Sequence, residues 1–160
     1  MKILFFTTLI CSLFSMSLNA QRGVNGANYD YNCRCLGVER DGSITVESFG
    51  KGRNKSDASE QAKKNAVWEV IFSGIKEGNG GCASDPVLLN GSAKQLHEDF
   101  FNTFFRDGGE YKQFVSLKDE KVKNKISRNA KKGKESQQRM VVVRVDRAGI
   151  KKHLIDNKIQ

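Results

Sequence analysis

The sequence predicts an α+β domain. It would be a two-layer sandwich, with an antiparallel sheet of about four strands carrying two long helices on one face and a short C-terminal helix. Three observations predict it. Residues 29–50 alternate apolar and polar side chains around Arg40-Asp41-Gly42, which is the pattern of a hairpin. Residues 57–75 and 93–106 carry apolar side chains at helical spacing. Residues 111–117 and 140–145 alternate again as strands, followed by a helical pattern over 147–157. With 38% hydrophobic residues and one Pro in 160, the chain can build one core, and wholesale disorder is excluded.

The first twenty residues read as a secretory signal peptide: Lys2, an apolar run from Ile3 to Leu18, then Asn19-Ala20 at the cut. The run is diluted by Thr7, Thr8, Ser12, Ser15 and Ser17, which weakens it as a membrane span. Cys11 follows Ile10 in mid-run, a poor setting for lipid attachment. The expectation is an exported protein of the periplasm or outer surface, with no transmembrane segment once the signal is removed. Residues 21–28 are polar and Gly-rich and read as a flexible lead into a single domain over 29–160.

In the first hairpin, a three-residue loop with Gly42 left-handed pairs Val38 with Ile44 and Leu36 with Val46. That register leaves Cys33 and Cys35 on the face opposite Leu36 and Val38. Gly50-Lys51-Gly52 ends the second strand. Ser56-Asp57 opens a helix, with Asp57 and Glu60 at capping-box spacing. Ala58, Ala62 and Ala66 make its first half narrow, and the helix stops before Gly78. A loop over 78–92 holds Cys82. The second helix carries Phe100, Phe101, Phe104 and Phe105, read as core, and Gly108-Gly109 ends it.

Without the signal peptide the cysteines are Cys33, Cys35 and Cys82. An oxidising compartment favours pairing. The readings are Cys82 bonded to one of the other two, or no bond. A metal site adding His97 has suitable ligand types but no standard spacing. No Gly-x-Ser-x-Gly or His-Glu-x-x-His is present, and Ser73-x-x-Lys76 stands without companion motifs. His97 and His153 read as structural. Gly50-Lys51-Gly52 lacks the further glycine or Gly-Lys-Ser/Thr ending of a phosphate-binding loop. No catalytic residue, metal or cofactor is expected.

The formal charge of +9 is unevenly spread. Residues 118–139 hold nine Lys or Arg against three acids, a net of +6, while the chain after residue 20 carries +8. This segment reads as a solvated loop or hairpin arm. Lys121, Lys123, Lys125, Arg128, Lys131, Lys132 and Lys134 are its candidate contacts for an anionic partner. It holds no aromatic residue for base stacking. Nucleic acid is also a less available partner outside the cytoplasm than an envelope protein or an anionic surface component.

Ile44-Thr45-Val46…Phe49-Gly50-Lys51-Gly52, followed by Asp57-Ala58…Ala62-Lys63-Lys64-Asn65-Ala66, resembles a small exported envelope domain. It is similar to the domain of the twenty-kilodalton lipoproteins and the N-terminal domain of a flagellar-assembly protein. Val141 to Val145, then Arg147, Ile150, Lys151, Leu154 and Ile159, is similar to their closing strand and helix. Val70-Ile71-Phe72-Ser73-Gly74-Ile75 looks like uncharacterised exported Gram-negative proteins of this kind. The resemblance covers about 36–75 and 139–159, and this chain departs from the lipoproteins in lacking a cysteine near the signal cut. It implies a non-enzymatic module that binds or helps assemble envelope parts. Two other functions fit the residues: a thiol or metal-binding protein using Cys33, Cys35 and Cys82, and a structural subunit of a surface assembly.

Overall fold

A computed structural model describes residues 33–118 and 137–159. The signal peptide, the Gly-rich lead and most of the basic segment, including all seven of its candidate contacts, lie outside the described residues. The order is β1 (Arg34–Val38), β2 (Ile44–Gly52), α1 (Lys55–Phe72), β3 (Glu77–Gly78), α2 (Ala93–Leu96), α3 (Glu98–Phe104), a 3-10 helix (Glu110–Phe114), β4 (Val115–Leu117), β5 (Gln137–Val145) and α4 (Arg147–Asp156). The five strands form one sheet in the order β3-β1-β2-β5-β4. The fold is α+β, as the sequence predicts, but the sheet is mixed. The additional strand, β3, runs parallel to β1 through Arg34↔Glu77 and Cys35↔Gly78, and the other pairings are antiparallel.

The β1–β2 turn follows the sequence reading. Gly42 is left-handed at φ 80°, the Gly42 N–H donates to Glu39 O at 3.0 Å, and Val38 pairs with Ile44. Further along, the predicted register fails. An irregularity between Cys35 and Gly37 sets Cys35, not Leu36, opposite Val46. A bulge adds one residue to one strand and reverses the faces beyond it. Cys33 and Cys35 therefore point into the core, while Leu36 is 41% exposed.

Helix α1 crosses β2 and β5. Its N-cap is Asn54 rather than Ser56 or Asp57; the Asn54 side chain accepts from the Asp57 N–H. It ends at Phe72, where left-handed Gly74 (φ 73°) donates its N–H to Glu69 O at 2.7 Å. Its alanines meet the glycines of β2 at backbone distance. A Cβ on Gly50 would lie 2.1 Å from Ala58 O and 2.3 Å from Ala62 N, and one on Gly52 would lie 2.4 Å from Ala58 N. Polar links fasten the crossing: the Ser48 hydroxyl donates to Ala62 O at 2.8 Å, and Asn65 Nδ2 donates to Phe49 O at 2.6 Å. The Gly-x-Gly ending of β2 is thus explained by close strand–helix packing.

The predicted second long helix is two short ones, broken at His97 (φ −119°, ψ 36°). Phe101, Phe104 and Phe105 are buried, as expected of core residues, with Phe105 5.3 Å from Trp68 and Phe101 4.9 Å from Phe72. The predicted strand over 111–117 is shortened to Val115–Leu117, because Glu110–Phe114 coil as a 3-10 helix that buries Tyr111. Asp146 caps α4 through the Gly149 N–H. No helix among the described residues is long and apolar enough to cross a membrane.

Candidate functional site: the roots of the basic segment and the cysteine cluster

The basic segment leaves the sheet from β4 and re-enters it at β5. At the first root, the Lys118 N–H donates to Val142 O at 3.2 Å. The Lys118 ammonium is anchored by Glu39, which also accepts from the Thr45 hydroxyl at 2.6 Å and has Arg144 3.7 Å away. The hydrogen bond from Lys118, followed by that from Thr45, holds the Glu39 carboxyl below its ordinary range. At the second root, Gln137, Gln138 and Arg139 pair with Gly52, Lys51 and Gly50. Exposed Lys51 and Arg53 therefore stand beside the chain as it returns. Spacing alone could not place these cations there, because it takes the long β2–β5 register to do so.

The cysteines separate in kind. Cys35 and Cys82 form a disulfide across a sequence separation of 47. The bond ties β1 to the loop after β3, where a Cβ on Gly80 would meet the Cys35 Sγ at 2.7 Å. Cys33 is free and buried, and its thiol donates to Ser48 Oγ at 3.3 Å. Burial pushes the Cys33 thiol up to about 12, far from the thiolate form a nucleophile or metal ligand requires. No cluster of three potential metal ligands occurs among the described residues. His97 sits at the break between α2 and α3. His153 packs against Phe114 with ring centroids 5.2 Å apart, and its Nε2 lies 2.9 Å from Glu110 Oε2 without hydrogen-bond alignment.

No family model, curated protein or solved structure matches this chain.

Proposed function

We propose that the protein is an exported, non-enzymatic interaction module of the cell envelope, holding an anionic partner through residues 118–139. The observation that carries this reading is the concentration of charge: 22 residues hold six of the eight net positive charges that follow residue 20. The second root supports it, since Arg139 and exposed Lys51 stand there side by side in the ladder, whereas Lys118 at the first root is paired with Glu39. The Cys35–Cys82 bond accords with an oxidising compartment. The buried Cys33 thiol gives the thiol-chemistry alternative little support. The resemblance to the twenty-kilodalton lipoprotein domain belongs to the same proposal.

The test is capture of envelope components by the chain from which the signal has been removed, at low and high salt. Electrostatic contacts weaken as the Debye length falls from about 10 Å at 0.1 M to about 3 Å at 1 M. Replacing Lys131, Lys132 and Lys134 with Gln should remove the salt-sensitive fraction. If every association survives both the replacement and the salt, the basic segment is not the contact.

A further inference from the structure

A cleft of about 330 Å³ opens between the start of α1 and the turn after α3. On its wall lies an unusual ion pair. The Lys64 side chain is only 6% exposed, yet its ammonium is paired at 2.6 Å with Asp107, whose side chain is fully exposed. A buried ammonium needs a counter-charge, since leaving it unpaired is costly. A permanent internal counter-ion is ordinarily buried with its cation and held by further hydrogen bonds. Asp107 instead stands in solvent, beside left-handed Gly108 at φ 77°.

The other carboxylates of the cleft are committed. Asp57 pairs with Arg53 at 2.9 Å. Glu60 pairs with Lys63 at 2.7 Å and Lys112 at 3.2 Å, and accepts from the Tyr111 hydroxyl at 3.4 Å. Burial, with Glu60 alongside, pushes the Tyr111 hydroxyl up, so it remains a donor. Three cations converge where the Asp107 carboxylate lies: Lys64 in contact, with Lys112 and Arg53 acting through space, all favouring negative charge there.

We infer that this cleft is a phosphate-group site, in which Asp107 occupies the ligand's position and leaves Lys64 when a phosphate enters. The ligand takes Asp107's contact with Lys64 and gains Lys112 once its 3.2 Å contact with Glu60 opens, and the cleft has room for a substituent on the phosphate. The site borders the second root of the basic segment through Lys51 and Arg53, takes no side chain from 118–139, and does not rest on the function proposed for that segment. Its chemistry suits both a free phosphate compound and a phospholipid head group.

The test uses inorganic phosphate, against chloride at matched ionic strength, with amide NMR shifts read over residues 107–112. Saturable shifts are expected, with a dissociation constant on the order of 1–10 mM, well within what five heavy atoms can provide. Asp107→Asn removes the competing charge but retains an oxygen for Lys64, and should tighten binding about fivefold. Should that variant lose stability, phosphate should raise its melting temperature more than that of the wild type. Lys112→Gln should weaken binding. The triple Gln variant of Lys131, Lys132 and Lys134 should bind phosphate like the wild type, which separates this site from the basic segment. Vesicles of phosphatidylglycerol against phosphatidylcholine, offered to that triple variant with and without Asp107→Asn, then distinguish the lipid source from the free one. Absence of saturable shifts, or an Asp107→Asn variant that binds no tighter, overturns the inference.

Discussion

Replacing Gly50 with Ala should be the most damaging single methyl group that can be added to β2. Its Cβ would lie 2.1 Å from Ala58 O, 2.3 Å from Ala62 N and 2.9 Å from Ala62 Cα, all of them backbone atoms that cannot rotate away. Relief requires β2 and α1 to separate by roughly 1 Å, a gap that forfeits a quarter to a half of each dispersion contact across it. The contacts at risk include those of Val46, Val141, Ala62 and Ala66, all at most 2% exposed. Overpacking of this kind costs about 3 kcal/mol. For a domain of this size that lowers Tm by about 10 °C. Urea unfolding and a thermal melt followed by circular dichroism measure both quantities. Gly91→Ala is the control, because nothing lies within 4 Å of its added Cβ. It should be neutral, or stabilising by about 0.5 kcal/mol through the unfolded chain. A Gly50→Ala protein within about 0.5 kcal/mol of wild type would refute the packing argument for the Gly-x-Gly ending.

Two further outcomes follow from the cysteine cluster and from the first root of the basic segment. Cys82→Ser, which opens a closure spanning 47 residues, should cost up to about 4 kcal/mol in chemical denaturation, and reductant should then have no further effect. Glu39 should titrate below its ordinary value of 4.5, because Lys118 and Thr45 hydrogen-bond to its charged form. Its stabilising contribution is complete above that ordinary value and is lost as pH falls through the lower folded value. Lys118→Met should move the Glu39 carbon shift in an NMR titration back toward 4.5.

The parts of the fold visible in the sequence are those governed by local pattern. Arg40-Asp41-Gly42 marks its own turn, and the alanines at every fourth position mark the narrow face of α1. The bulge beside Gly37 was hidden, because one additional strand residue leaves alternation readable on either side while reversing the faces. The break at His97 was hidden because the Phe100–Phe105 spacing extends naturally into a longer helix. Strand β3 has two residues, too few for any periodicity. The cleft was hidden for another reason: Lys64 and Asp107 are 43 residues apart and meet only once α1 and the turn after α3 are in place. The cysteines could be listed from the sequence, but the partner of Cys82 depends on the β1–β3 pairing, which sets Cys35 beside Gly78 and the loop that follows it.

That dependence bears on how the chain matures. In an unfolded chain Cys33 and Cys35 are nearly equivalent targets for Cys82, since loop closures of 49 and 47 residues differ by less than about 0.1 kcal/mol. Chain entropy therefore cannot select the correct bond. Selection belongs to the folded strand pair, which seats Cys33 behind Ser48 and aims Cys35 at the loop carrying Cys82. Oxidation before strand pairing would therefore divide the chains between Cys33–Cys82 and Cys35–Cys82, and those holding the first bond would have to reshuffle it to reach the folded strand pair.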